Sequence, residues 1–258
     1  MTSILDRFRL DGQAVLITGG GTGIGAGMAK AFVEAGARVA VVGRRADKLE
    51  AVCGAITGGG GTAVAIPGDL TQRGEGDRIA AAAVEQLGSL TALVNNIGGS
   101  PDWPTLPVLD CTEESWAAHL DQNLTSYWRM TKAAVPLMSD GGSIVNISSV
   151  RGLTRFGGPS GAYGTAKAGV NSLTRDLALD LAPKIRVNGI APGPVTTENW
   201  LRNRGVSSAE EAEKAGLGSN LPLNRLGTLE DIAALATFLI SPAAGWITGQ
   251  MIVASGGI

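Results

Sequence analysis

Tyr163 and Lys167 stand four positions apart in Tyr163-Gly-Thr-Ala-Lys167. On a helix that spacing puts a phenol and an ammonium group on one face. A phenol ionises near pH 10 in water and a neighbouring cation favours the phenolate, so the pair is a candidate proton donor and acceptor. The same spacing also occurs on ordinary solvated helix faces, so the pair gains meaning only from its surroundings. A second concentration of chemistry lies in Thr18-Gly-Gly-Gly-Thr-Gly-Ile-Gly25. Glycines let backbone N–H groups approach a pyrophosphate, and a helix opening there adds partial positive charge. Such a run also serves as a plain tight turn.

These residues need elements to carry them. Short runs rich in Val, Ile and Ala at 14–18, 38–42, 62–66, 92–95, 143–147, 185–190 and 251–253 predict strands, and helical patterns fill 23–36, 45–56, 73–87, 113–138, 161–182 and 229–240. The strand runs are almost continuously apolar, which requires helices above and below the sheet. The expected fold is α/β: one domain over 1–258, a Rossmann-type doubly wound parallel sheet of about seven strands with helices on both faces. The first strand then feeds the glycine turn directly, and residues 58–61 read as a turn between a helix and a strand.

The second strand ends Val41-Val42-Gly43-Arg44-Arg45, with no acid to bind adenosine ribose hydroxyls. Arginine presents a planar fork to phosphate oxygens, which favours NADP(H) and leaves NAD(H) possible. The bland alternative is that both arginines only solvate the start of the next helix.

Composition narrows the field. The chain has 258 residues and a formal net charge of −2, with no basic cluster to suit a nucleic acid. Cys53, Cys111 and the single His119 suggest neither a disulfide framework nor a zinc site, and a reducing cytoplasm fits best. One histidine also disfavours His-dependent triads. No apolar leader or membrane span is apparent.

In order along the chain, Thr18-Gly-x-x-x-Gly-x-Gly25, Asp69-Leu70, Asn95-Asn96-Ile97-Gly98, Asn123, Ile147-Ser148-Ser149, Tyr163-x-x-x-Lys167 and Pro192-Gly193-Pro194 resemble the short-chain dehydrogenase/reductase family. The resemblance runs from about Leu10 to the carboxyl terminus. It implies hydride transfer between a nicotinamide and a ketone or secondary alcohol, with Tyr163 donating or accepting the proton. It also implies that Lys167 lowers the tyrosine pKa and bonds the nicotinamide ribose, that Ser149 holds the substrate oxygen, and that Asn123 holds a water linking Lys167 to solvent. The residues alone leave Ser148 and Ser149 in competition, and the family pattern favours Ser149.

For the cofactor the resemblance implies Gly19, Gly21, Thr22, Gly23, Ile24 and Gly25 at the turn, Arg44 and Arg45 beyond the second strand, and Asp69 and Leu70 around the adenine. It places Asn96 and Gly98 beside the ribose, and Pro192, Gly193, Val195 and Thr197 near the nicotinamide, with Tyr163 and Lys167 contacting the cofactor too. Three departures stand out: Ile97 where alanine is usual, Ser255 where an aspartate often precedes the last glycines, and a stretch from Ser149 to Tyr163 about one residue longer than usual. Asn96-Ile-Gly-Gly99 and the segment from Ser241 to Ser255 also resemble bacterial 7α-hydroxysteroid dehydrogenases, with 3-oxoacyl reductases equally compatible.

Substrate choice falls to two loops, 99–109 with Trp103 and 196–221 with Trp200 and an acidic helical stretch at 209–214. With Phe156 these aromatics line an apolar pocket or pin the loops to the core. Rival readings are an NAD(H)-dependent alcohol or hydroxysteroid dehydrogenase, another chemistry on the same scaffold, and a nucleotide-sensing protein without turnover. Homo-oligomerisation, as a tetramer or dimer through helices 113–138 and 161–182, is implied by the resemblance.

Overall fold

The computed structural model describes residues 3–99, 104–155 and 158–258. Its strands are β1 (Ala14–Thr18), β2 (Arg38–Gly43), β3 (Ala63–Pro67), β4 (Ala92–Asn95), β5 (Gly142–Ile147), β6 (Ile185–Pro192) and β7 (Met251–Ala254). They form one parallel sheet in the order β3-β2-β1-β4-β5-β6-β7. The chain runs outward from β1 to β3, then returns to the other side of β1 at β4. That reversal opens a crevice beyond the carboxyl ends of β1 and β4, where doubly wound sheets bind ligands.

The burial pattern explains the apolar runs. Strands β1, β4 and β5 are buried at every position, whereas the edge strands β3 and β7 are partly exposed. Alternation along the strands divides the core in two. Val15, Ile17, Val39 and Val41 pack with Met28, Phe32, Ile232 and Leu239 on one face, while Leu16, Ala40 and Val42 pack with Ile79, Ala83 and Met130 on the other. The first face is covered by α1 (Gly23–Glu34), α2 (Ala46–Gly58) and α9 (Leu229–Ile240), and the second by α3 (Glu75–Leu87), α5 (Ser126–Ala134) and α6 (Gly161–Leu181).

Most predicted bounds shift by one or two residues, but two regions differ in kind. The continuous helix expected over 113–138 is broken into α4 (Glu113–Leu120), a π-helical turn (Asp121–Thr125), α5 and a 3₁₀ turn (Val135–Leu137). At the break, side chains compete for the backbone ladder: Asn123 Nδ2 donates to the His119 carbonyl (3.0 Å) and Ser126 Oγ to the Gln122 carbonyl (2.6 Å). The stretch 196–221, expected as a long loop with one acidic helical stretch, contains α7 (Glu198–Asn203) and α8 (Ala209–Lys214). Thr197 and Ser208 cap these helices, and they close over a small core of Ala212, Leu221 and Leu226.

Candidate active site

The glycine turn leaves β1 at Thr18, whose Oγ1 accepts from Asn96 N (2.9 Å) and Ile97 N (3.2 Å) and donates to the Val94 carbonyl (3.3 Å). Asn96 Nδ2 returns the tie, donating to the carbonyls of Thr18 (3.1 Å) and Gly19 (3.2 Å). The turn is thus clasped to the end of β4. A Cβ on Gly25 would sit 2.2 Å from the Gly19 carbonyl oxygen, so only a hydrogen fits where α1 presses on the turn. Gly19 itself adopts φ 66°, in the left-handed region. Thr22 is the N-cap of α1 and makes no side-chain capping bond, unlike Thr112, Thr197, Ser208 and Thr228 at their helices. A side-chain-free helix start above a glycine turn fits a pyrophosphate.

Around the rim, Arg44 and Arg45 are exposed, and neither guanidinium has a hydrogen bond or ion pair among the described residues. Leu70 is buried. Asp69 Oδ1 accepts from Thr71 N (3.0 Å) and Thr71 Oγ1 (2.8 Å), so its carboxylate organises a strand-end turn. On the far side Gly193 N donates to the Ala254 carbonyl (2.9 Å). Val195 bridges Gly227. A Cβ on Gly23 would meet Thr197 Cγ2 at 3.3 Å, so the segment after β6 reaches the glycine turn. Ser255 Oγ accepts from Ile258 N (3.0 Å) and holds the chain end, the place where an aspartate was the usual residue.

Lys167 lies on α6 and is buried, with Nζ donating to the Ile147 carbonyl (2.9 Å) and to Tyr127 Oη (3.0 Å). Tyr127 Oη in turn donates to the same carbonyl (2.8 Å). Gly98 sits against this ammonium: a Cβ there would lie 3.0 Å from Lys167 Nζ and 3.1 Å from Asn123 Oδ1. Asn123 is buried in the π-helical turn and locks Gly99 by accepting from its N–H (2.9 Å) and donating to its carbonyl (3.2 Å). The two serines diverge. Ser148 Oγ lies 2.6 Å from Asn171 Oδ1 and 3.0 Å from the Lys167 carbonyl, inside the core, whereas Ser149 Oγ accepts from Arg151 N (3.2 Å) and acts on the Tyr163 phenol.

Electrostatics depart from one expectation. Burial pushes the Tyr163 phenol above its ordinary value, and the groups pulling it down are Ser149 and the positive charge of Arg151, not Lys167. Lys167, lowered by burial, is already neutral in the range where that raised phenol would ionise, and its Nζ is turned towards Ile147 and Tyr127. Desolvation lowers Lys167 itself to about 7, and burial raises the Tyr127 phenol well above its usual range.

Sequence reasoning missed Tyr127, which reads as one more core aromatic; its spacing of four from Asn123 on the same helical run was the available signal. Trp103 and Phe156 lie outside the described residues. Trp200 is partly buried against the Ala212, Leu221 and Leu226 core. It lines a cavity of about 360 Å³ with Pro194, Arg204, Leu217 and Leu226, and the Arg204 guanidinium lies 5.1 Å over its ring. Among the described residues no helix is long and apolar enough to cross a membrane.

A parallel sheet with its glycine turn, serine, tyrosine and lysine gathered at the β1–β4 crevice defines a nicotinamide-dependent oxidoreductase. The chain belongs to the short-chain dehydrogenase/reductase family: residues 19–258 match the family model described as enoyl-(acyl carrier protein) reductase. It is 41% identical to an uncharacterised oxidoreductase of Mycobacterium tuberculosis, over 99% of this chain and 95% of that protein. It is 37% identical to the 7α-hydroxysteroid dehydrogenase of Escherichia coli K12, over 98% of this chain and 96% of that protein. A solved structure of a 7α-hydroxysteroid dehydrogenase complexed with NADH and 7-oxo glycochenodeoxycholic acid superposes with a TM-score of 0.87 at 35% identity, over 100% of this chain and 98% of that one.

Proposed function

We propose that this protein is an NADP(H)-dependent oxidoreductase of ketones and secondary alcohols in which Tyr163 is the proton donor and acceptor. The observation that carries the reading is the gathering of Ser149, Tyr163 and Lys167 around the crevice beside Gly98. Gly19, Gly21, Thr22, Gly23, Ile24 and Gly25 hold the pyrophosphate, Asp69 and Leu70 border the adenine, and Asn96, Gly98, Pro192, Gly193, Val195 and Thr197 frame the ribose and nicotinamide. The bound nicotinamide supplies or takes up the hydride.

The protein contributes orientation and a proton. Ser149 hydrogen-bonds the substrate oxygen where negative charge develops during reduction. Tyr163, kept protonated at neutral pH by its surroundings, gives its proton to that oxygen, and in oxidation the transfer reverses. Lys167 presents a cation to the ribose, and Asn123 holds the Gly98–Gly99 backbone in place around it. The chain acts as one domain, in the cytoplasm, and as a homo-oligomer.

Arg44 and Arg45 support NADP(H), because both guanidiniums are exposed and without a partner among the described residues. NAD(H) is the second reading, favoured by the NADH in the related 7α-hydroxysteroid dehydrogenase structure. That relative also places 7-oxo steroids first in a substrate panel. Titrating the protein with NADPH and NADH separately, following cofactor fluorescence, tests both readings. Tighter NADPH binding supports the arginine argument, equal or tighter NADH binding overturns it, and binding of neither overturns the enzymatic reading.

A further inference from the structure

The Lys167 amine is fully enclosed, and an enclosed ammonium is stable only with good acceptors around it. Two acceptors are present: the Ile147 carbonyl (2.9 Å) and the hydroxyl of Tyr127 (3.0 Å), which comes from α5, 40 residues earlier in the chain. The Tyr127 ring also lies under the ammonium, with Nζ 4.8 Å from its centroid. Tyr127 is itself buried, and a phenylalanine would fill nearly the same volume. Its hydroxyl avoids the usual cost of burial because it donates to Ile147 O (2.8 Å) while accepting from Nζ. Tyr127 follows Asn123 by four positions, so the run from the π-helical turn into α5 presents two polar side chains to the Gly98–Lys167 corner.

We propose that Tyr127 is a positioning residue for Lys167: its hydroxyl pins the ammonium against the Ile147 carbonyl and holds it in the charged form, leaving one N–H for a nicotinamide ribose hydroxyl. The proposal rests on the reading of Lys167 as the lysine that faces the cofactor. A phenol oxygen that already donates its hydrogen to Ile147 offers Nζ only lone pairs, and lone pairs favour an ammonium over an amine. The other groups near this corner do not replace it. From α6, Tyr163 lies beside the lysine with its ring centroid 5.9 Å from Nζ, and Arg151 in the segment before α6 acts on Tyr163. From α4, His119 Nδ1 lies 2.7 Å from the Ser115 carbonyl in its own helix. From the β4 end, Asn96 is tied to Thr18 and Gly19.

The test is Tyr127→Phe, which keeps the ring and removes the oxygen, with NADPH affinity measured by cofactor fluorescence from acid to alkaline pH and a thermal melt at each point. The wild-type affinity is expected to fall as pH rises through the deprotonation of Lys167. Loss of the hydroxyl lowers the lysine's proton affinity, so the same fall moves about one unit to lower pH in the variant, a roughly tenfold change in proton affinity. The acid-side affinities stay within about twofold of each other, since the ammonium is charged in both proteins there. Titration of the cofactor's own phosphate is common to both proteins. A merely structural role would weaken binding at every pH, or lower the melting temperature, without moving the limb.

Tyr127→Met is the second variant if the phenylalanine protein fails to fold, its unbranched chain filling the space without a hydroxyl. An unmoved limb in a folded variant overturns the proposal, as does a wild-type affinity that shows no such limb. A wild-type protein that binds neither NADPH nor NADH at any pH overturns the functional reading and the proposal with it.

Discussion

Lys167 is the residue whose environment most constrains the chemistry. Burial lowers it from 10.5 to about 7. A base with a depressed folded-state pKa destabilises the fold fully below that value, where both states carry the proton. Between about pH 7 and 10 the unfolded chain binds a proton that the folded chain does not, so stability rises with pH. Melting temperatures taken from pH 6 to 9 should therefore climb in the wild type, and the climb should be absent in Lys167→Met; equal slopes would show that the lysine is not the titrating group. Tyr163→Phe removes the transferable proton and little else, so NADPH binding should persist while kcat falls by about a thousandfold. Undiminished turnover in that variant would exclude Tyr163 as the proton donor. Replacing Arg44 by aspartate should shift preference from NADPH towards NADH by at least about tenfold in the ratio of dissociation constants, because a carboxylate repels the 2′-phosphate and accepts from ribose hydroxyls.

At the scale of elements, the site depends on a broken helix. The π-helical turn at Asp121–Thr125 places Asn123 against Gly99 and starts α5 so that Tyr127 reaches Lys167. Asn123→Ala removes three hydrogen bonds to His119, Gly99 N and Gly99 O, and should cost about 1–3 kcal/mol measured by urea unfolding. A neutral substitution would mean that the break is held by something other than this side chain. The regular parts of this arrangement were legible in the sequence. Seven apolar runs announced seven buried strands, and a spacing of four on one helix announced Tyr163 and Lys167 together. The break was not legible, because Asn123 is fixed in it by a partner 24 residues earlier, the Gly99 backbone. Tyr127 was hidden for a related reason: its spacing of four from Asn123 gives only the face it lies on, while its hydroxyl meets partners 20 and 40 residues away. The choice between Ser148 and Ser149 likewise needed Asn171, which draws the first serine into the core.

The molecule as a whole presents apolar side chains that its own core does not use. Trp246 is 99% exposed and Leu179 80% exposed, and Val253 is exposed on the edge strand β7. An open, partly apolar strand edge invites a second copy of the chain. If a second copy docks on this apolar surface, Trp246→Glu should shift elution in size-exclusion chromatography to a smaller species, and an unchanged elution volume would place the contact elsewhere, as on the helical stretches 113–138 and 161–182.

The clasp between Thr18 and Asn96 has a consequence for how a dinucleotide is received. Five hydrogen bonds, all made within the chain, fasten Thr18 and the first glycine of the turn to Val94, Asn96 and Ile97. A run so rich in glycine has more conformational freedom to lose than any other kind of backbone. Here Thr18 and Gly19 give up that freedom to bonds the chain makes with itself. Association is then expected to proceed on a preformed surface, with fast capture and with little of the ordering entropy that a loose loop would add to the cost of binding.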